Sequence, residues 1–218
     1  MRAFIISGGD IDYDFALSYI EKHPADVVIA VDKGMQFCYA RQVRPDYILG
    51  DYDSIDLKVL DYYRNETDID METFQSEKDD TDTEIALKKA MELGYDDIVI
   101  LGAMGGRMDH FIANLHLLML ALEHGVYAAL VDARNHIRLI REEYSIKKEE
   151  QFGHYVSFLP FTDRVEGITL SGFKYPLQDY TMTKGLSIGV SNEIAAPEAR
   201  VTFTSGVLMM IQSRDETD

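Results

Sequence analysis

The sequence predicts an α/β protein in two parts, a Rossmann-like parallel-sheet domain followed by a small all-β sandwich domain. Up to about residue 133, short apolar runs rich in Val and Ile alternate with helix-period segments, which is typical of a parallel α/β sheet. From about Glu142 the helical periodicity fades, and strand-like runs separated by Gly, Pro and Asp follow. We predict domains at 1–140 and 141–218, with the boundary in the charged stretch Arg141–Gln151. A solvated hairpin crossing between the domains would show the same pattern there.

Six apolar runs are predicted to form the parallel sheet. In chain order they are AFIIS, DVVIAVD, DYILGD, DIDMETF, DDIVILGA and YAALVDA. Helical segments are predicted between them, for example at 56–64, 83–93 and 110–124. Segment 110–124 is predicted to form a core-facing helix, because its apolar residues recur on one face. That face consists of Phe111, Ile112, Leu115, Leu118, Met119 and Leu122. The second part contributes the strand-like runs HYVSFLPF, GITLSGF, GLSIGVSN and ARVTFTSGVLMMIQ.

The charge and composition of the chain exclude several classes of partner. With a formal net charge of −17, the chain would be repelled by duplex nucleic acid and by an anionic membrane surface. The single cysteine, Cys38, has no partner for an intramolecular disulfide. No run approaches the roughly 20 apolar residues of a membrane span, and the opening apolar run is too short for a signal peptide. We therefore expect a cytoplasmic protein.

Acidic side chains crowd the end of the third predicted strand. Asp51 and Asp53 follow the run YILG, and in an extended segment two residues so spaced point the same way. Neighbouring carboxylates repel each other unless a cation binds them. Mg²⁺ would fit, because it takes one or two carboxylates and keeps waters and substrate phosphates as its other ligands. Alternatively, Asp53 or Ser54 caps a helix that begins near Asp56.

A second acidic group, EKDDTDTE, follows the next predicted strand. It offers three aspartates, Asp79, Asp80 and Asp82. The alternative explanation is a capping box formed by Thr81 and Glu84, which have the required spacing. Capping leaves the surplus aspartates unexplained. Because parallel sheets bind ligands at the carboxyl ends of their strands, we favour a metal site shared by both acidic groups.

The stretch LGAMGGRMDH predicts a strand, a glycine-rich turn and the start of a helix. Backbone N–H groups and the helix dipole at such a position can hold phosphate. Arg107 offers a forked cation for phosphate oxygens, and Asp109 is a candidate helix cap. The stretch is neither a dinucleotide fingerprint nor a Walker A loop, so a plain turn with a surface arginine is the alternative. A phosphate site beside a metal is what metal-dependent phosphate transfer requires.

Four segments in this order resemble the thiamine pyrophosphokinase family: PDYILGDYDSI, DDTD, LGAMGGRMDH and GLSIGVSNE. The resemblance spans nearly the whole chain. It implies an enzyme that moves the terminal pyrophosphate of ATP to the hydroxyl of thiamine, giving thiamine pyrophosphate and AMP with Mg²⁺ as cofactor. It also implies a homodimer with active sites at the junction of the two chains.

The resemblance assigns roles to particular residues. The implied metal ligands are Asp51, Asp53 and Asp82. The implied catalytic residues are Asp53, Asp79, Asp82 and Arg107. The implied ATP-binding residues are Asp32, Lys33, Gly34, Gly105, Gly106, Arg107, Asp109 and His110. The implied thiamine-binding residues are Ser191, Asn192 and Asp82, although Ser191 and Asn192 alone would be read as turn residues.

The chain departs from the family pattern at two points. Lys33 replaces a glycine of the family's ADGG turn, so Lys33 is strained if that position needs a positive φ. The chain has no tryptophan, which family members often stack on thiamine. Phe173 or Tyr175 can stack on a cationic ring less strongly.

Two other functions fit the same acidic residues. One is a kinase that transfers the γ-phosphate, or a phosphatase, with the same metal site. Aspartyl-phosphate phosphatases carry paired acids after the first strand of the domain, whereas Asp51 and Asp53 follow the third. The other is a non-catalytic sensor of nucleotide and thiamine.

Overall fold

The computed structural model describes residues 1–53, 55–73 and 79–215. The chain divides into two compact units, Met1–Ala133 and Arg134–Asp218. The first unit is α/β and the second is all-β, which confirms the predicted fold class. The division lies one strand before the predicted boundary at 140, because Asn135–Ile140 pairs with Leu208–Ser213 in the second unit.

The first unit alternates strands and helices along the chain. They are β1 (Arg2–Ile6), α1 (Tyr13–Lys22), β2 (Val27–Val31), α2 (Gly34–Arg41), β3 (Tyr47–Gly50), α3 (Leu57–Glu66), β4 (Asp70–Thr73), α4 (Asp82–Glu92), β5 (Asp97–Leu101), α5 (Met108–Glu123) and β6 (Tyr127–Val131). The predicted fourth strand includes Phe74, which lies outside the described residues.

Strand order places a ligand-binding edge at the centre of the parallel sheet. Among the described residues of this unit, the strands are parallel in the order β6-β5-β1-β2-β3-β4. The chain builds outward from β1 to β4 and then returns to the other side of β1 at β5. In a doubly wound sheet, ligands bind where the order reverses, at the carboxyl ends of the strands. That switch point lies between β1 and β5.

The central strands are buried on both faces, which explains their continuous apolar runs. Phe4 on β1, Ile29 on β2 and Ile100 on β5 are fully buried. Helices on both faces of a parallel sheet produce this pattern, in contrast to the alternating pattern of a half-exposed sheet. In the part of the chain that the structure describes, no helix is long and apolar enough to span a membrane.

Helix α5 buries a different face from the one predicted. Its buried residues are Asn114, Leu117, Leu118, Ala121 and Leu122. The predicted face shares only Leu118 and Leu122 with this set, and Ile112 is 49% exposed. Apolar residues cover so much of the circumference of α5 that periodicity alone did not identify the face that packs on the sheet.

The second unit contains two antiparallel sheets. Its elements are β7 (Asn135–Ile140), β8 (Tyr144–Lys147), a 3-10 turn (Lys148–Glu150), β9 (Tyr155–Pro160), β10 (Arg164–Ser171), β11 (Leu177–Thr183), β12 (Asn192–Glu193), β13 (Glu198–Thr202) and β14 (Leu208–Ser213). Within the described residues, one sheet has the order β12-β9-β14-β7 and the other β11-β10-β13-β8. Phe158 and Met210 of the first sheet share a core with Leu170 and Val201 of the second. The predicted sandwich is therefore confirmed.

The buried thiol of Cys38 gives a prediction for the first unit. Cys38 on α2 is fully buried, and burial raises the pKa of its thiol to about 12. Because the thiolate is the reactive form, the native thiol is expected to be inert at pH 8. We expect no reaction with 5,5′-dithiobis(2-nitrobenzoate) in native protein, and release of one equivalent after unfolding in guanidinium. Release at comparable rates in both states would contradict this burial.

Candidate active site

A cleft of about 730 Å³ lies at the carboxyl edge of the parallel sheet. Its walls come from the segments that follow β1, β2, β3 and β5 and from the first turns of α4 and α5. The lining residues are Ser7, Gly8, Gly9, Asp10, Asp32, Lys33, Asp51, Asp53, Asp80, Thr81, Asp82, Thr83, Gly102, Ala103, Gly105, Gly106, Arg107, His110 and Asn114. The cleft therefore coincides with the switch point of the sheet.

Most of the predicted site residues of the first unit line this one cleft. They are Asp32, Lys33, Asp51, Asp53, Asp82, Gly105, Gly106, Arg107 and His110. Three other predicted residues do not line it. Gly34 is buried beneath it, whereas Asp79 and Asp109 are exposed outside the lining set.

The loop that carries Asp51 and Asp53 is bent, and the predicted extended arrangement of these residues is wrong. Tyr52 has a φ of +62°, and the Asp53 N–H donates to Oδ1 of Asp51 at 3.1 Å. The cause is the side chain of Tyr52, which is 6% exposed. Its hydroxyl donates to the carbonyl oxygen of Glu72 at 2.8 Å and lies 3.1 Å from that of Ile48. This anchor turns the chain and leaves both aspartates at the cleft.

Helix capping does not account for Asp53. Helix α3 begins at Leu57, and its cap is Asp56, whose carboxylate accepts from the Lys58 N–H at 2.8 Å. The predicted cap at Asp53 is therefore wrong, and the alternative at Ser54 lies outside the described residues. The Asp56 N–H in turn donates to the side chain of Gln36 on α2 at 2.9 Å, which fixes the start of α3.

Lys33 does not meet the condition for strain, because its neighbour Asp32 takes the positive φ of this turn. Lys33 has a φ of −60°, in the right-handed helical region, whereas Asp32 has a φ of +45°. The Asp32 side chain fits only because Gly50 lacks a Cβ atom, which would overlap Oδ1 of Asp32. The lack of a side chain at Gly50 therefore lets the ends of β2 and β3 approach each other closely.

The carboxyl groups of Asp32, Asp51 and Asp82 crowd together. Burial, followed by the nearby carboxyl groups of Asp82 and Asp51, raises the pKa of Asp32 to about 7. Oδ1 of Asp32 is buried and has no hydrogen-bond partner among the described residues. Crowded carboxylates with an unpartnered buried oxygen are chemically suited to a cation. Within 1–53, 55–73 and 79–215, however, no three His, Cys, Asp or Glu side chains are already arranged as a metal site.

Helix α4 presents Asp82 to the cleft. The Thr81 hydroxyl accepts from the Glu84 N–H at 3.2 Å, so the predicted cap at Thr81 is confirmed. Asp82 is then the first residue of the helix. The hydroxyls of Ser7 and Thr83 form a buried hydrogen bond of 2.6 Å, which ties this first turn to the end of β1.

The glycine-rich loop after β5 is held from two sides. The Gly9 N–H donates to the carbonyl oxygen of Gly102 at 2.9 Å. The buried Asn114 side chain donates from Nδ2 to the carbonyl oxygen of Ala103 at 2.9 Å. Gly105 and Gly106 follow with φ values of +104° and +64°, which side-chain-bearing residues rarely adopt.

The amino end of α5 carries Arg107 and no side-chain cap. Arg107 is the residue before the helix, and its own side chain forms no capping hydrogen bond. Asp109 lies inside the helix rather than at the cap position, but its Oδ1 accepts a hydrogen bond from the His110 N–H at 2.9 Å, so the predicted role at this helix end is met in part. Asp109 also pairs with the guanidinium of Arg107 through contacts of 3.1 and 2.5 Å, which lowers the pKa of Asp109 to about 2. The other N–H groups of this helix end and its dipole can hold an anion.

Asn114 provides a test of how the glycine-rich loop is positioned. Replacing Asn114 with Ala leaves the buried carbonyl of Ala103 without its donor, which we expect to cost about 1–3 kcal/mol of stability. The loop should also become mobile, so affinity for a phosphate-bearing ligand should fall. Urea unfolding and nucleotide titration measure the two effects. Ala113→Ser, at an exposed position on the same helix, is the control and should change neither.

Sequence reasoning missed two parts of the cleft. The first is the SGGD stretch, Ser7–Asp10, whose signal is a glycine pair directly after the first strand. The second is Asn114, whose signal is one polar residue within an apolar helical stripe. Neither signal distinguishes a site from an ordinary turn or a buried amide until the strand order is known.

In the second unit, Asn192 has a structural contact rather than an exposed side chain. Asn192 is 3% exposed; its Oδ1 accepts from the Tyr175 N–H at 3.0 Å, and its Nδ2 donates to the Tyr175 carbonyl at 2.7 Å. Ser191 has a φ of +56°, and its N–H donates to the Ser157 hydroxyl at 2.9 Å. Phe173 is buried in the sandwich core, whereas Tyr175 is 57% exposed. Of the two aromatic candidates, Tyr175 is the accessible one.

Comparisons with known proteins agree with this architecture. The family profile of the thiamin pyrophosphokinase catalytic domain matches residues 19–130, and that of the thiamin pyrophosphokinase vitamin B1 binding domain matches residues 143–208. Thiamine pyrophosphokinase of Bacillus subtilis is 36% identical over 198 residues, which cover 90% of this chain and 91% of that protein. Thiamine pyrophosphokinase 1 of rice, Oryza sativa subsp. japonica, is 26% identical over 183 residues, covering 79% and 67%.

Solved structures support the same relationship. The crystal structure of the Bacillus subtilis thiamine pyrophosphokinase superposes with a TM-score of 0.89 at 31% identity, covering 99% of this chain and 100% of that one. Thiamin pyrophosphokinase from Candida albicans, at 18% identity, shares the fold with a TM-score of 0.81 over 97% and 88% of the chains. The protein thus belongs to the thiamin pyrophosphokinase family.

Proposed function

We propose that the protein is a thiamine pyrophosphokinase, which transfers pyrophosphate from ATP to the hydroxyl of thiamine and forms thiamine pyrophosphate and AMP. Membership of the family supports the reaction. The observation that carries the proposal is the convergence of Asp51, Asp53 and Asp82 with the glycine-rich loop in one cleft at the switch point. Two phosphate groups and a metal need such a combination of acids and backbone donors.

We assign the metal to the acidic wall of the cleft. Asp51, Asp53 and Asp82 would hold Mg²⁺, and the unpartnered oxygen of Asp32 is consistent with a cation there. When bound, the ion would neutralise charge on the phosphate oxygens and orient them. The same acids would attract the positively charged thiazolium of thiamine.

The glycine-rich loop and the start of α5 are assigned to phosphate. The N–H groups of Gly105 and Gly106 and the amino end of α5 provide donors. Arg107 would exchange its exposed partner Asp109 for phosphate oxygens, at little cost because exposed ion pairs contribute little. These groups would stabilise charge that spreads over the phosphates during transfer. Asp82 is the proposed acceptor of the thiamine hydroxyl proton, since Asp79 lies outside the lining set.

We also propose a homodimer and a cytoplasmic location. The predicted homodimer, with active sites at the junction of the chains, is tested by light scattering coupled to size-exclusion chromatography. The proposed thiamine contacts of Ser191, Asn192 and Tyr175 and the cytoplasmic location rest on the family resemblance and on the acidic, cysteine-poor composition.

One incubation tests the activity against its alternatives. With ATP, Mg²⁺ and thiamine, we expect AMP to form in step with thiamine pyrophosphate. Formation of ADP with thiamine monophosphate would indicate a γ-phosphate kinase. Binding of both substrates without turnover would indicate a sensor. Either of these two results would contradict the proposed function.

A further inference from the structure

The second unit presents an exposed aromatic ring whose backbone is fixed by its neighbours. Tyr175 is 57% exposed. The buried amide of Asn192 accepts from the Tyr175 N–H at 3.0 Å and donates to the Tyr175 carbonyl oxygen at 2.7 Å. The Lys174 N–H donates to the carbonyl oxygen of Glu193 at 2.8 Å. These bonds join two chain segments into one frame, so the ring of Tyr175 has a defined place at the surface.

The side chains of Lys174 and Glu193 lie beside this ring. Nζ of Lys174 is 5.5 Å from the centroid of the Tyr175 ring and 2.7 Å from Oε1 of Glu193. Oε2 of Glu193 is 3.4 Å from Nε2 of His154. The hydrogen bond from Lys174 lowers the pKa of Glu193, so the carboxylate is ionised at neutral pH. An ammonium group of the protein itself therefore lies over an exposed aromatic ring and next to a carboxylate.

An aromatic face beside a carboxylate suits an organic cation, because the ring face and the anion both attract positive charge. Lys174 already makes both of these contacts. A second cation at the same ring would be repelled by the ammonium and would take its place beside Glu193. The side chain of Lys174 is 49% exposed, and exposed ion pairs contribute little, so the pair can open at small cost.

We propose that Lys174 determines the affinity of this surface for thiamine, because its ammonium competes with the positively charged thiazolium for Tyr175 and Glu193. The inference rests on the proposed function, which brings that cation to the second unit. Its consequence is that thiamine binds more weakly than the ring and the carboxylate alone would allow.

Equilibrium binding of two small rings tests this competition without ATP and without turnover. The probes are 3,4-dimethyl-5-(2-hydroxyethyl)thiazolium, a cation, and 4-methyl-5-(2-hydroxyethyl)thiazole, its uncharged counterpart. In Lys174→Met we expect the cation to bind about threefold more tightly, and the uncharged ring to bind as it does to the wild type. Lys184→Met is the matched control, because Lys184 is an exposed lysine of the same unit that pairs with Asp163. It should change neither affinity. Ligand-observed NMR titration measures both dissociation constants.

Two further variants locate the cation. Glu193→Gln removes the carboxylate and should weaken binding of the cation about threefold. Tyr175→Leu removes the ring, so adding Lys174→Met to it should give a smaller gain than Lys174→Met gives in the wild type. A full gain in the Tyr175→Leu background would place the cation elsewhere and overturn the proposal.

Three results with Lys174→Met itself would also overturn the proposal. The first is unchanged or weaker binding of the cation, and the second is no saturable binding of it. The third is an equal gain for both rings, which would show that charge is not the cause. Failure of the proposed pyrophosphate transfer is distinguishable from all of these results. A protein that forms no AMP but shows the gain selective for the cation would contradict the transfer alone.

Discussion

Replacing Asp53 with Ala is expected to lower turnover on the order of 10²-fold or more while leaving the fold intact. Asp53 is exposed at the cleft, does not cap α3, and lies on the wall assigned to the metal. Loss of one electrostatic contact to the transferring group has this size of effect in other enzymes. Steady-state formation of AMP measures turnover, and thermal unfolding checks the fold.

Asp61 provides the control for the Asp53 experiment. It is an exposed aspartate on α3 that does not line the cleft, so Asp61→Ala removes the same charge without touching the site. We expect this variant to keep nearly full activity. An Asp53→Ala enzyme that retains more than about a tenth of wild-type turnover would rule out the metal role assigned to Asp53.

Replacing Gly34 with Ala is expected to give the largest loss of stability, about 3 kcal/mol or more. Gly34 is the first residue of α2 and is packed against β1, so a Cβ atom would overlap the carbonyl oxygen of Ile6. The start of α2 cannot easily move away from β1 to remove this overlap, because the Met35 N–H donates a hydrogen bond to the Asp32 carbonyl oxygen. Urea unfolding measures the change in the free energy of unfolding.

Gly94→Ala is the control that separates the effect of steric overlap from that of backbone strain. Gly94 has a φ of +87°, and a Cβ atom there would meet nothing within 4 Å. Gly94→Ala therefore carries only the cost of the left-handed conformation, about 1–2 kcal/mol. Similar losses in the two variants would mean that the close contact between Gly34 and Ile6 does not limit stability.

The sequence was sufficient to predict the fold class, because alternation of buried strands and helices is a local pattern. Each strand of the parallel sheet carries its own apolar run, and acids at strand ends must share one edge. This reasoning placed Asp51, Asp53 and Asp82 together without coordinates. It could not supply the strand order, and so it missed Ser7–Asp10, which lines the cleft only because β1 is central.

The local geometry of the site could not be predicted for a different reason. Tyr52 looks like a spacer between two acids, but its buried ring and its contact with Glu72 bend the loop. The left-handed residue of the neighbouring turn is Asp32 rather than Lys33, since Gly50 on the adjacent strand leaves room for it. Both outcomes depend on contacts between strands that are distant in sequence, and no local pattern encodes them.

The central claim is that carboxylates from the loops after β3 and before α4 share one divalent cation. A crystal structure with Mn²⁺ and a non-hydrolysable ATP analogue tests it, because the anomalous signal locates the ion. We predict one ion about 2.2 Å from carboxylate oxygens of Asp82 and of Asp51 or Asp53, with the nucleotide phosphates completing its ligands. An ion bound elsewhere, with the Asp51 and Asp82 carboxylates more than about 10 Å apart, would contradict the claim.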